Sequence, residues 1–393
     1  MDKMIYLDNA ATSFPKPDGV HEYMGDFYRN SGVNPGRTGC DAALRAEEMI
    51  NETRKALTRF FNASLAAEGR LPDTDRLIFT LNGTHALNLI LRGTLKAGDH
   101  VVTTWVEHNS VIRPVNHLAK DGIESTFVRP DGEGYVDPEE IRAAIRRNTR
   151  LVMVNHGSNV IGTVQDLEAI GTVCAEHEVP FAVDTAQTAG VLPIDMTVNH
   201  ISFLAFTGHK GLMGPTGTGG ICVAEGAEIE SSQWGGTGVR SAYPLHLEEY
   251  PYRLEAGTQN LMGIAGLHAG QVWLRAEGLD KIRAHEMELL ALLQEGLEPI
   301  RGVTIHGTRN LKRRVATLSI TVDNWDPSDV GMMLDVDYDI ITRTGLQCAP
   351  LIHDAMGTSP RGTVRFSLGP FSIREDVEAA VKAVEEVSAR RNA

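Results

Sequence analysis

The chain has 393 residues, 42% of them hydrophobic and 22% charged, which are the proportions of a soluble globular protein with ample core and exclude a mostly disordered chain. Its 37 Lys and Arg against 51 Asp and Glu leave a formal net charge of −14. That excludes a broad footprint for nucleic acid or anionic membrane and leaves room only for a local basic pocket.

The amino-terminal stretch MDKMIYLDNAATSFP carries Asp2 and Asp8 and builds no apolar export signal. Nowhere does an apolar run approach the roughly 20 residues of a membrane span. A helix beginning at Asp41 places Leu44, Ile50, Thr53, Leu57, Phe60 and Phe61 on one face. A strand at 77–80, a helix at 86–95 and a strand at 101–105 follow. Then come a helix at 138–147 with Asp137 as N-cap and Pro138 in its first position, a buried strand at 151–155 and a helix at 167–178. Strands at 181–184, 203–207 and 220–224 complete the series. This alternation predicts an α/β fold with a mostly parallel sheet covered on both faces. Ligands of such sheets collect at the carboxyl ends of the strands.

After Thr258 the pattern changes to long helices at 261–277 and 279–297, strands at 316–322, 340–343 and 363–368, and a last helix from 375 to about 389. Val377, Val381, Val384 and Val387 form the apolar stripe of that helix. The expected division is a large α/β domain over 15–264 and a smaller α+β domain over 1–14 and 265–393. The four cysteines, Cys40, Cys174, Cys222 and Cys348, are too few and too irregular for a disulfide scaffold or a CxxC metal site. They read as reduced thiols of a cytoplasmic protein.

The segment AFTGHKGLMGPTGTGG puts Lys210 after a strand end among Gly, Thr and His. Lys210 is either an exposed turn lysine or a Schiff-base lysine; a phosphate loop is a third reading, although the Gly-Lys-Ser/Thr order is missing. Asp184 ends an apolar strand, where a bare carboxylate is costly unless a cation such as a protonated pyridine nitrogen pairs with it. A helix N-cap is the other reading of Asp184. Gly83 and Thr84 open a helix directly after a strand, which makes an anion site from backbone N–H groups. His108 and Asn159 follow further strands, so Thr84, His108, Asn159, Asp184 and Lys210 fall at one edge of one sheet.

The ordered set Tyr6-Leu-Asp-Asn-Ala-Ala-Thr12, Gly83-Thr84, Glu107-His108, Ser158-Asn159, Asp184-Thr-Ala-Gln187, Thr207-Gly-His-Lys210, Glu255-Ala-Gly-Thr258 and Arg343-Thr-Gly-Leu-Gln-Cys348 resembles the class V, fold-type I pyridoxal-phosphate enzymes. Within them it is most similar to the cysteine desulfurases and selenocysteine-lyase-like enzymes, over nearly the whole chain. The resemblance implies a seven-stranded large-domain sheet and a homodimer. By the same resemblance Lys210 holds pyridoxal phosphate and moves the α-proton, Asp184 keeps the pyridinium protonated, and His108 stacks on the ring and assists proton transfer. Gln187 would bond the ring hydroxyl, and Asn159 would orient cofactor or substrate. Thr84, Thr207 and His209 would hold the phosphate, with Thr258 reaching it from a neighbouring subunit.

Cys348 lies in a turn-like segment, whereas Cys174 sits in a helix and Cys222 in an apolar strand, both positions of core cysteines. Cys40, in a loop-like segment, is a weaker competitor. The resemblance implies that the Cys348 thiolate takes sulfur from L-cysteine as a persulfide, leaving L-alanine. Arg365, with Arg343 as a second contact, would bind the substrate carboxylate. His353 is either a helper of that thiolate or a solvated loop histidine. A sulfur-acceptor protein is a further implied partner. Two departures bear on substrate identity: Leu346-Gln347 stand where two histidines are common, and Phe371-Ser372-Ile373 where Tyr/Phe-Asn-Thr is common. A selenocysteine lyase, another lyase or epimerase, and a non-catalytic binding protein on the same fold are the alternatives.

Overall fold

A computed structural model describes residues 4–35 and 39–390; Asp2 and residues 36–38, in the segment leading to Cys40, lie outside the described residues. After a short strand β1 (Ile5–Tyr6), seven strands form the larger sheet. They are β2 (Leu77–Thr80), β3 (His100–Thr104), β4 (Glu124–Val128), β5 (Thr149–Asn155), β6 (Phe181–Asp184), β7 (Phe203–Thr207) and β8 (Gly219–Val223). Their spatial order is β2-β8-β7-β6-β5-β3-β4. The pairs from β7 through β6, β5 and β3 to β4 are parallel. Only β8, antiparallel to both β7 and β2, runs against the others.

Every residue of β2, β3, β6, β7 and β8 is buried, because helices cover both faces; such strands read as continuous apolar runs. Successive side chains still point to opposite faces. Val152 and Val154 join a core with Leu57, Phe61 and Leu267, while Leu151 and Met153 join another with Leu87, Ile90 and Val115. Two elements here escape the sequence pattern. The helix Asn109–Leu118 carries Pro114 in its interior, and β4 is an edge strand with an exposed first residue. Leu44, expected on the buried face of the helix Asp41–Phe61, is 54% exposed. Ala43, Ala46 and Met49 occupy that face instead.

The smaller sheet has strands β9 (Val303–His306), β10 (Thr317–Val322), β12 (Arg343–Gly345) and β13 (Thr363–Ser367), in the order β12-β13-β10-β9 and antiparallel throughout. The single strand expected at 340–343 divides: its first half, β11 (Ile340–Ile341), pairs in parallel with β1, and the rest becomes β12. Val377, Val384 and Val387 of the helix Arg374–Ala389 are fully buried against Leu290, Leu318 and Phe366, with Val381 partly buried beside them. Buried polar contacts fix the loop after β5 against this sheet. The Ser319 hydroxyl donates to Val160 O at 2.6 Å, and Arg314, fully buried, donates to Ile161 O at 3.3 Å and Thr317 O at 2.6 Å.

Candidate active site

A cavity of about 270 Å³ opens at the carboxyl ends of the large sheet, where the smaller sheet meets it. The ends of β5 and β6 lie side by side, Asn155 in register with Asp184. Asp184 is 2% exposed, and its Oδ1 accepts from Ala186 N at 2.9 Å. No helix starts there, so the carboxylate closes a local turn and otherwise faces the cavity. Burial raises its pKa, opposed by the Ala186 bond, the Lys210 charge and the Asn155 side chain. Lys210, three residues beyond β7, is lowered to about 8, chiefly by burial, with the Arg365 and Arg343 charges adding to the effect and Asp184 opposing it. At pH 7 roughly a tenth of such an amine is neutral, against fewer than about one in a thousand for an unperturbed lysine.

The helix Gly83–Thr94 begins almost directly after β2. Asn82 caps it by accepting from His85 N at 2.9 Å, which leaves the Gly83 and Thr84 N–H groups without an intrahelical partner at the cavity wall. Thr207 lies against this terminus, since a Cβ on Gly83 would meet Thr207 Cβ at 3.6 Å. His209 adds a donor from the same wall; burial first, then the Lys210 and Lys16 charges, lower it to about 4. The group has the N–H and hydroxyl donors that an anion would require.

His108 is the N-cap of the helix Asn109–Leu118, its Nδ1 accepting from Ser110 N at 3.1 Å. The neutral ring therefore carries its proton on Nε2. Burial first, then Lys210, Arg343, Arg113 and Arg365, lower His108 to about 4. Gln187 is held by a 3.0 Å bond from its side-chain amide to Ala10 O.

Arg343 and Arg365 stand directly opposite each other across the β12–β13 pair. Like charges so placed repel. Asp8 answers one of them, forming an ion pair with the fully buried Arg365, whose other terminal nitrogen donates to Asn159 O at 2.8 Å. The Arg343 guanidinium lies 3.3 Å from Cys348 Sγ. Arg365 Nε and Asn159 Oδ1 are buried without a protein partner, and buried polar atoms left so are costly. A small carboxylate seated here would offset the second arginine.

Gln347 and Cys348 both have left-handed backbone, φ 40° and 60°, a conformation that costs a non-glycine residue energy and persists only when its surroundings impose it. Two hydrogen bonds impose it here: Asn159 Nδ2 donates to Gln347 O at 2.7 Å, and Asn109 N donates to Cys348 O at 2.7 Å. His353 supports the same turn through a 2.9 Å contact with Gln347 Oε1. It is 1% exposed, so it is not a solvated loop residue, and both its ring nitrogens are engaged elsewhere than at the sulfur, Nε2 with Gln347 Oε1 and Nδ1 with Thr358 Oγ1.

Of the candidate residues, all but Thr258, His353 and Cys40 thus line one cavity. Thr258 is exposed in a separate pocket beside the buried Arg54–Glu255 ion pair. Cys174 and Cys222 are buried, and Cys40 is exposed at the start of the helix Asp41–Phe61.

The family model described as aminotransferase class-V matches residues 5–380. The chain belongs to the class V aminotransferase family. A probable cysteine desulfurase of Pyrococcus abyssi is 34% identical over 98% of this chain and 94% of its own. A cysteine desulfurase of Escherichia coli O157:H7 is 31% identical over 98% and 93%. The solved apo structure of a cysteine desulfurase from Thermococcus onnurineus NA1 aligns with a TM-score of 0.90 at 34% identity, covering 98% of this chain and 95% of that one.

Sequence reasoning passed over three residues of this class V site. Asn155 ends an apolar strand in a polar side chain, the same signal that marks Asp184. Asp8 lies in the Tyr6–Thr12 segment, but its pairing with Arg365 spans 357 positions. Glu107, fully buried, accepts from Thr104 Oγ1 at 2.7 Å and from Asn155 N at 2.8 Å.

The buried titratable groups also set how stability follows pH. Burial holds His108, His209 and His353 near 4 and His156 near 3, below the usual 6.5. The unfolded chain takes up protons on acidification that the folded chain refuses, so stability is lost as pH falls from about 6.5 toward 4. Glu107 and Glu286, raised to about 8 by burial, act in the opposite sense, and stability is lost as pH rises from about 4.5 to 8. The thermal midpoint should therefore pass through a maximum near neutrality, with Glu286→Gln flattening the alkaline side. A midpoint flat from pH 4.5 to 8 would refute this.

Proposed function

We propose that this class V family member is a pyridoxal-phosphate-dependent cysteine desulfurase that converts L-cysteine to L-alanine and carries the sulfur as a persulfide on Cys348. The observation that carries the reading is one cavity that holds the buried amine of Lys210 and the carboxylate of Asp184 together with Cys348 and its arginines. The residues fit the cofactor in kind. The anion corner of Thr84, Thr207 and His209 suits a phosphate, Asp184 suits a pyridinium, Gln187 suits a ring hydroxyl, and Asn159 has an unpaired buried oxygen. When bound, pyridoxal phosphate supplies an electron sink for the bonds at the substrate α-carbon.

The chain's own residues do the rest. Arg365 and Arg343 seat the substrate carboxylate. Lys210, partly neutral near pH 7, would hold the cofactor through its aldehyde and would take and return the α-proton. His108, neutral with its proton on Nε2, lines the cavity where the ring would sit and would serve as a proton donor. The Cys348 thiolate attacks the substrate sulfur, so an S–S bond forms as the C–S bond breaks. The electron pair of that bond goes to the β-carbon, which is protonated to give alanine. The Arg343 guanidinium beside Sγ is the electrostatic partner of that anionic nucleophile.

A homodimer belongs to the same reading. Thr258 is exposed, and the buried Arg54–Glu255 pair ties its loop to the core, which supports its reaching the phosphate of a second copy. The reading also includes a division into 15–264 and 1–14 with 265–393, a sulfur-acceptor partner and, with all four cysteines outside disulfides, a cytoplasmic location.

The test is a single-turnover assay with L-cysteine. Without an acceptor thiol, about one alanine per chain is expected, matched by one cyanide-labile sulfur on the protein, and Cys348→Ser should lose that sulfur. Alanine and sulfide no higher than in a Lys210→Ala control would overturn the assignment.

A further inference from the structure

Cys348 lines a second cavity as well. A groove of about 440 Å³ lies on the outer side of the site and shares Thr84, His108, Ser110 and Cys348 with the inner cavity. Its walls carry Arg92, Arg113 and His117, all exposed, and among the described residues no acidic side chain lines it. Arg92 and Arg113 form no ion pair with the described residues. On a chain whose net charge is −14, an unpaired cationic groove leading to the sulfur of Cys348 is a local reversal of the protein's field. Its size lies within the range of small-molecule sites.

We infer that this groove is the acceptor side of the reaction and binds a small anionic thiol, of about tripeptide size and carrying two carboxylates, which removes the sulfur from Cys348. The inference rests on the desulfurase reading. The Arg92 and Arg113 guanidiniums would take the two carboxylates, where planar forks match carboxylate geometry. The acceptor thiolate attacks the outer sulfur of the Cys348 persulfide. The new S–S bond joins acceptor and sulfur, the old one breaks, and its electron pair leaves on the Cys348 thiolate. The products are an acceptor persulfide and the resting enzyme, with no external oxidant or reductant. Because Cys348 lines both cavities, donor and acceptor each have a route to the same sulfur.

The experiment has two arms. In the first, L-cysteine alone is given to wild type, Arg92→Gln and Arg113→Gln, and alanine per chain is read; equal yields show that the donor half-reaction is intact, and failure here would strike the desulfurase reading instead. In the second, the persulfidated enzyme is discharged by glutathione or by uncharged 2-mercaptoethanol. Each substitution should raise the KM for glutathione about fivefold, and less at high salt, while leaving the 2-mercaptoethanol rate unchanged. S-methylglutathione, which cannot react, should shield Cys348 of the holoenzyme from iodoacetamide in wild type but not in the double variant. Equal effects on both thiols, or no shielding, would overturn the inference. So would preferential discharge to an acidic acceptor protein with glutathione inert.

Discussion

Replacing Lys210 by alanine is expected to reduce L-cysteine turnover by at least about a thousandfold and to remove the visible absorbance of the cofactor-loaded protein. The amine is buried at the cavity floor, in the field of two arginines and one carboxylate. Among the described residues no other lysine lines that cavity, so none of them substitutes for it. The same change should not destabilise the cofactor-free fold. Lys210 titrates near 8 in the folded chain against 10.5 unfolded, so its burial as a cation is a cost borne in full below pH 8 and relieved as pH rises toward 10.5. The variant should therefore lose that part of the alkaline gain in stability. Turnover retained within tenfold of wild type would refute the assignment of Lys210.

Arg365→Gln has a different signature. Arg365 is fully buried, forms an ion pair with Asp8 and holds Asn159 O at 2.8 Å. Shortening it leaves Asp8 largely covered without its counter-ion, and breaking such a pair from one side costs roughly 3 kcal/mol. The thermal midpoint should fall, and the KM for L-cysteine should rise by about a hundredfold as the carboxylate loses its charge-assisted partner. Arg343→Gln, by contrast, should raise KM with a smaller loss of stability, because Arg343 is only partly buried. Two variants that shift stability and KM equally would contradict the division of labour between the arginines.

Much of the large sheet was legible because its strands are short apolar runs between helices of clear period, and burial on both faces leaves that composition. The carboxyl-end placement of Thr84, His108, Asn159, Asp184 and Lys210 followed from the same alternation. Less legible were the edge strand β4, where half-buried residues blur the pattern, and the helix Asn109–Leu118, where Pro114 interrupts it. Leu44 shows the limit of a single helical face: Ile50, Thr53, Leu57 and Phe61 are buried as the period requires, but near the helix start Ala43 and Ala46 take the covered positions and leave Leu44 largely exposed. His353 shows another limit, since a polar residue near a loop cysteine is equally compatible with solvent, with catalysis and with the buried support it provides to Gln347.

By itself the sequence determined the residue types, their order at strand ends and the singular setting of Cys348. These are local properties, carried by periodicity and by turn composition within a few residues. Tertiary structure alone decided that Arg343 faces Arg365, that Asp8 reaches Arg365, and that Gln347 and Cys348 accept left-handed backbone. Cross-strand register and imposed backbone strain depend on segments outside the local window, from the neighbouring strand for Arg343 and Arg365 to opposite ends of the chain for Asp8 and Arg365, and their free energy comes from burying those segments together. Local pattern does not contain that sum.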